Sequence, residues 1–459
     1  MKLYEEYRNN ATTINQDEVK RLDRPFTPLG RIISLLFMML CIFALWRFTA
    51  RAGEWYLLGG LMFLYLVLKE AFALFYRPSK RELTKDYKVT AIVTCYNEDP
   101  DSVVSVFDNI LALDYPVHEI LFLDDGSADP LAYEVAKSFA EDHKDVSGVP
   151  KFQIVRFEKN RGKRTVMMDG FQRATGDYVF LLDSDSEILP NALTELLRPF
   201  EDGKTTSCVG NIGILNEKEN FLTKMQSLTY YNAFQMGRSA QSVTGSVVIC
   251  SGAFSVHKKD FILANLEKFE EDVLFGITVS SGDDRALTAL SQKSGGKTRY
   301  QSTAYCATKV PATWRKFQSQ RRRWQRSGYV CSLKTIKDVF PQRLGYLFWV
   351  FAEAYFWLIA TVIFALAVLM RGFYFDLIDV ILYHVIIMYK KYSFYLLYRP
   401  LHFLLVPIYT FVYGLSLTYT RIHAALTLKN DGWGTRAVES ERVEQMIAEA
   451  QGEEMSVAA

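Results

Sequence analysis

Ile120-Leu121-Phe122-Leu123-Asp124-Asp125-Gly126-Ser127 is an apolar strand that stops at two acids and a glycine. Two other stretches are built the same way. Ala91-Ile92-Val93-Thr94-Cys95-Tyr96-Asn97-Glu98-Asp99-Pro100 runs from an apolar strand into a polar loop, and Val179-Phe180-Leu181-Leu182-Asp183-Ser184-Asp185-Ser186 ends on two acids with one residue between them. Helix-like segments separate these strands, and the alternation predicts an α/β domain with a mostly parallel sheet. Ligands of open parallel sheets sit beyond the carboxyl ends of the strands. Three strand ends therefore bring acids and an aromatic to one edge.

Composition narrows the partner. The 459 residues are 49% hydrophobic and 23% charged, which excludes a disordered chain. Lys and Arg number 53 against 51 acids, so no global field favours nucleic acid. The six cysteines show no CxxC pair and read as reduced thiols. His257, His384, His402 and His423 are too scattered for a metal cluster.

Asp-Gly-Ser on its own is a turn. Asp183 and Asp185 say more, because residues two apart at a strand end can both bend toward a hard cation such as Mg2+ or Mn2+, which prefers oxygen ligands and leaves room for phosphates. A lone DxD is common by chance; three strand-end motifs in one domain point to a nucleotide-diphosphate site. Neither GxGxxG nor GxxxxGK[ST] occurs. Arg161-Gly162-Lys163-Arg164 offers a compact basic cluster suited to phosphates, or a solvated turn. Ser281-Gly282-Asp283-Asp284-Arg285 precedes a helix-like run, where paired acids either cap the helix or take a proton from an attacking hydroxyl. Gln320-Arg321-Arg322-Arg323-Trp324 is either an interface anchor or a platform on which tryptophan stacks on a sugar and arginine neutralises a diphosphate.

Apolar residues crowd the two ends of the chain. Residues 32–46 and 55–68 are uncharged; extended to 29 and to 76, each reaches the ~20 residues of a span, which predicts a transmembrane hairpin. Basic residues on both sides place its flanks in the cytoplasm. A signal peptide is the other reading, but a polar leader precedes the first apolar run. Three further apolar segments follow the soluble domain at 344–369, 373–389 and 401–419. Basic residues after them argue for an inside tail, so one segment lies in the interface, re-enters or forms a tight hairpin. Glu353 is costly in lipid and must face protein or a water-filled path. The predicted order is a polar leader (1–28), a transmembrane hairpin (29–80), a cytoplasmic α/β domain (81–310), amphipathic interface helices (311–342), a C-terminal transmembrane region (343–422) and a cytoplasmic tail (423–459).

Asp124-Asp125-Gly126, Asp183-Ser184-Asp185, Gly282-Asp283-Asp284 and the QxxRW of Gln320–Trp324 together resemble the processive, membrane-embedded family 2 glycosyltransferases, which include cellulose, chitin and hyaluronan synthases. Tyr96-Asn97-Glu98-Asp99, Asn232-Ala233-Phe234, Ala240-Gln241-Ser242, Cys250-Ser251-Gly252, Tyr300-Gln301-Ser302-Thr303-Ala304 and Trp433-Gly434-Thr435-Arg436 are most similar to the bacterial hyaluronan branch. The resemblance implies a GT-A domain inserted between N- and C-terminal transmembrane helices of a plasma-membrane protein. It also implies UDP-GlcNAc and UDP-GlcA as donors, Mg2+ or Mn2+ as cofactor, and a growing capsule-type polysaccharide and membrane lipid as partners. Position by position, Tyr96, Glu98, Asp125, Lys163, Asp183, Arg323, Trp433 and Arg436 would hold the UDP, and Asp183 with Asp185 the metal. Asp284, beside Asp283, would be the general base, and Cys250, Ser251, Gly252, Gln320 and Trp324 would meet the acceptor. Ala253 stands where these synthases usually carry proline. Chitin-oligosaccharide synthases of nodulating bacteria share much of the pattern, so a UDP-GlcNAc-only product stays open. A lipid-linked single-sugar transferase lacks QxxRW, and a channel needs no acids at three strand ends.

Overall fold

The structure is a computed structural model that describes residues 2–8, 14–52, 57–144, 146–270, 273–274, 277–278, 282–356 and 377–428. Four strands, β1 (Val89–Cys95), β2 (Glu119–Asp124), β3 (Lys151–Arg156) and β4 (Tyr178–Asp183), run parallel in the order β3-β2-β1-β4. Their apolar residues alternate between two layers, as the two-residue period of a strand requires. Val93, Phe122 and Phe180 pack with Phe107 and Phe139, whereas Ile92, Leu121 and Leu181 pack with Val166, Met167 and Phe171 of the Lys163–Arg173 helix. The register sets Cys95 opposite Asp124 and Thr94 opposite Asp183, so the strand-end acids share one edge. The order reverses at β1, which is where such sheets open a crevice.

The sheet continues through β5 (Ser186–Ile188), β6 (Thr205–Ile214), β7 (Phe254–Lys258) and β10 (Lys297–Thr308), in the full order β3-β2-β1-β4-β7-β6-β10-β5; β8 (Val273–Leu274) and β9 (Ile277–Thr278) form a separate pair. β7 is antiparallel to β4 and β6, and β5 to β10. The sheet is thus mixed, which corrects the mostly parallel expectation. A central antiparallel strand buried on both faces carries the same apolar signature as a parallel one, and β7 is buried almost throughout.

Pro28–Ala52 and Leu57–Phe75 are helical. Among the described residues, one helix, over Pro28–Arg47, is long and apolar enough to cross a membrane, and Leu344–Phe356 is a shorter apolar helix. Large apolar side chains face outward along these and the later helices, among them Leu36, Leu40, Phe43, Phe348, Ile408 and Leu415. An apolar surface this extensive marks a lipid or protein contact rather than a soluble exterior. Short helices at Tyr395–Tyr398 and Pro400–Phe403 interrupt the C-terminal region ahead of Val406–Leu426.

The helices are bolted to the sheet by hydrogen bonds. The Tyr76 hydroxyl donates to the Tyr300 carbonyl (3.0 Å) and accepts from the Ser302 N–H (2.9 Å), while Gln301 both accepts from and donates to the backbone of Ser79. Glu353 faces protein: Lys69 reaches it at 2.5 Å and the Tyr65 hydroxyl at 3.2 Å. None of the six cysteines forms a disulfide, and all are buried.

Candidate active site

Glycine decides the first strand-end loop. Gly126 has φ +69°, and a Cβ there would lie 2.5 Å from the Lys159 carbonyl carbon, so the loop after β3 can cross β2 at that point only without a side chain. Asp125 then fixes this loop, accepting the N–H of Arg161 (2.7 Å) and of Gly162 (3.1 Å). Asn97, at φ 51°, laces β1 to β2: its N–H donates to the Ser127 hydroxyl (2.9 Å) and its side-chain oxygen accepts from Ala128 N–H (2.9 Å). The fixed loop delivers Lys163 to the start of its helix, where Nζ meets Asp183 at 2.6 Å.

The remaining acids differ in their surroundings. Asp185 accepts from the Thr308 hydroxyl at 3.2 Å, and burial, reinforced by the charge of Asp183, pushes its carboxyl up to about 6. Gly282, at φ +98°, begins the Asp283–Lys293 helix. Asp283 is buried in an ion pair with Arg164 (2.7 Å). Asp284 faces the cavity; burial pushes its carboxyl above the ordinary range, with Arg285 opposing and Asp283 adding to the rise.

The opposite wall is the helix Trp314–Val339. Gln320, Arg321, Arg323, Trp324 and Ser327 of this helix line a cavity of about 500 Å3 together with Glu98, Lys163, Asp183, Asp185, Ser251, Gly252, Asp283 and Asp284. The Arg321 guanidinium lies 4.5 Å from the Trp324 ring, 5.2 Å from Phe317 and 5.9 Å from Tyr230. Motifs spread over more than two hundred residues therefore converge on one space.

The expected site residues are placed unevenly around this space. Cys250 does not line the cavity: it is fully buried behind the wall, its N–H donating to the Thr288 hydroxyl at 2.9 Å, while Ser251 and Gly252 face inward. Asp125 and Tyr96 also lie off the lining. Two amide hydrogen bonds reach the Asp125 carboxylate from the loop that carries Lys163, so it holds that loop in place. Asp283 is committed to Arg164, which leaves Asp284 as the candidate base. Trp433 and Arg436 lie outside the described residues. Sequence reasoning missed Tyr230, Arg238 and Arg321, which line the same cavity. Arg238 had a legible signal, being the single charged residue between Lys224 and His257.

The Asp183 and Asp185 carboxylates fit a hard divalent cation. They are two oxygen donors close enough for one charge to oppose ionisation of the other, a repulsion that a cation removes. Among the described residues no group of three or more His, Cys, Asp or Glu is placed to hold an ion. Further ligands would come from substrate phosphate or water.

A mixed GT-A-like sheet with this cavity at its strand ends defines a glycosyltransferase. The glycosyl transferase family 2 model matches residues 90–264 and the glycosyl transferase family group 2 model residues 178–427. The hyaluronan synthase of Streptococcus pyogenes serotype M1 is 31% identical over 408 residues, covering 88% of this chain and 96% of that one. An N-acetylglucosaminyltransferase of Mesorhizobium japonicum is 30% identical over 242 residues, 52% of this chain and 56% of that one. A mannosyltransferase of Pyrobaculum calidifontis, solved with GDP-Man and Mn2+, shares the fold at a TM-score of 0.57 and 20% identity, covering 86% of this chain and 99% of that chain. The chain belongs to glycosyl transferase family 2 and is similar to hyaluronan synthases.

Proposed function

We propose that this protein is a processive, inverting transferase that polymerises UDP-GlcNAc and UDP-GlcA into hyaluronan. It passes the chain across the plasma membrane through a multi-pass helical region, with the catalytic domain in the cytoplasm. The observation that carries this reading is the shared cavity: Lys163, Asp183 and Asp185 on one side, Asp284 within, and Gln320, Arg323 and Trp324 on a helix that packs along the apolar Val406–Leu426 helix.

Tyr96 and Glu98 lie at the end of β1 where the uridine would sit, over the loop held by Asp125. Lys163 and Arg323 bind the diphosphate. Asp183 and Asp185 would hold Mg2+ or Mn2+, which supplies charge neutralisation of the leaving diphosphate. Trp324 stacks on the acceptor sugar beside Gln320, Ser251 and Gly252. Asp284 takes the proton of the acceptor hydroxyl as its oxygen attacks the anomeric carbon, and the bond to UDP breaks with its electron pair leaving on the diphosphate. One displacement inverts the configuration, so an α-linked donor yields a β-linked product.

The rhizobial relative favours a second reading, a homopolymer or oligosaccharide synthase using UDP-GlcNAc alone. The test is the full chain, purified in detergent and given UDP-GlcNAc, UDP-GlcA or both with Mg2+ or Mn2+. High-mass product only with both donors supports the copolymer; product from UDP-GlcNAc alone moves the assignment to the second reading. Absence of metal-dependent UDP release would overturn both.

A further inference from the structure

One cation in the cavity has no part in this scheme. Arg238 closes the helical stretch Asn232–Arg238 and lines the cavity with Arg285. Its guanidinium lies 4.9 Å from the Phe234 ring, and its Nε is buried without a hydrogen-bond partner. Arginine keeps its charge in a protein interior, and a half-buried cation whose Nε has no hydrogen-bonded anion is costly. The nearby acids lend charge but no hydrogen bond: Glu353 is held by Lys69 and Tyr65, and Asp284 faces the cavity, accepting the Arg285 N–H at 2.8 Å. A cation kept in a cavity against this cost points to an anionic ligand.

Position selects the anion. Gly237, next in the chain, would place a Cβ 3.5 Å from Lys69 Nζ, so Arg238 stands at the end of the cavity that faces the Leu57–Phe75 and Leu344–Phe356 helices. Lys163, Asp183 and Asp185 belong to the strand-end side. Asp284 lies between, under the influence of the Lys163 charge and itself acting on Arg238. The donor phosphates go to the strand ends, and what reaches Arg238 is the acceptor chain on its way toward the helices. A neutral amino-sugar chain offers a guanidinium no counter-charge, whereas a uronic acid offers a carboxylate with the planar geometry that arginine matches.

We propose that Arg238, seconded by Arg285, binds the carboxylate of a uronic acid in the acceptor and so makes the enzyme select a uronate-bearing chain. This rests on the reading that the cavity elongates a sugar polymer.

The test measures transfer from UDP-GlcNAc, with Mn2+, onto an oligosaccharide ending in uronic acid and onto its carboxyl-reduced counterpart. Wild type is expected to prefer the uronate by about tenfold or more, the scale of a charge-assisted hydrogen bond. Arg238→Gln brings the ratio near unity, Arg285→Gln lowers it, and Arg238→Lys, which keeps the charge but loses the fork, retains part of it. UDP binding and melting temperature are followed for each variant. If Arg238→Gln does not fold, Arg238→Lys decides: a ratio equal to wild type overturns the proposal, a reduced ratio supports it. A wild type that copolymerises both donors while Arg238→Gln keeps the full preference sinks this inference alone. A wild type that polymerises UDP-GlcNAc by itself and ignores the carboxylate sinks the copolymer reading and this inference with it.

Discussion

The two sides of the cavity are finished differently. On the strand-end side the carboxylates are matched within the protein, though Asn97 Nδ2 is not: Asp125 by two amides, Asp124 by Ser127 and Arg156, Asp183 by Lys163 and Asp283 by Arg164. On the side facing the helices, the Arg238 Nε, the Gln320 Oε1 and the Arg321 Nε and Nη2 are buried with no partner. Buried polar atoms are rarely left in this state. On the function proposed above, the contrast teaches that the nucleotide side would be preorganised by the fold and the acceptor side completed by the sugar chain it takes in.

Asp284 stands at the boundary, and removing its charge should have the largest effect. Asp284→Asn is expected to lower turnover by ~10^2–10^4 while UDP still binds, since general-base catalysis contributes on that scale; UDP-release kinetics and UDP titration check the two halves. Only the deprotonated carboxyl can accept the proton, and burial raises its pKa. Wild-type kcat/KM should therefore fall on the acid side at a pH above the ordinary carboxylate range, a limb that the variant lacks.

On the preorganised side, Arg164→Ala strands the Asp283 carboxylate in the interior. The expected loss is ~3–5 kcal/mol of unfolding free energy, read by denaturant melts, with part of it recovered in the Arg164→Ala, Asp283→Asn double variant. An unaltered midpoint would show that this side is not held as described.

Per pH unit, the smallest effect belongs to β7. His257 on β7 is fully buried between the Ser255 and Ser207 hydroxyls, and burial pushes its pKa down to about 3. The unfolded chain takes a proton near pH 6.5 that the folded one refuses, so stability should fall by ~1.4 kcal/mol per pH unit as the pH drops below about 6.5 toward the folded value. The slope should flatten in His257→Gln relative to wild type.

Much of the strand-end side was legible because its signals are local. An apolar run halting at Asp124-Asp125-Gly126 or Asp183-Ser184-Asp185 states both the strand and the chemistry at its end. The antiparallel course of β7 was not, since strand direction is set by distant pairing and leaves no mark on Phe254-Ser255-Val256-His257-Lys258. Cys250 stands between Ile249 and Ser251, which line the cavity, while its own side chain is buried; a motif read as a block does not show which of its residues turns away. Arg238 stands out in the sequence as a lone charge, but that signal names no role until the Asp284 loop and the Trp314–Val339 helix are folded over it.

The Trp314–Val339 helix is a rod of 26 residues, ~39 Å long at 1.5 Å per residue. In its first half it presents Trp324 to the cavity; along its length it leans on Val406–Leu426. A stiff shaft gripped at both places transmits any sideways shift of one to the other. On the polymerising function proposed above, bond formation and forward thrust of the product would then be strokes of the same machine part.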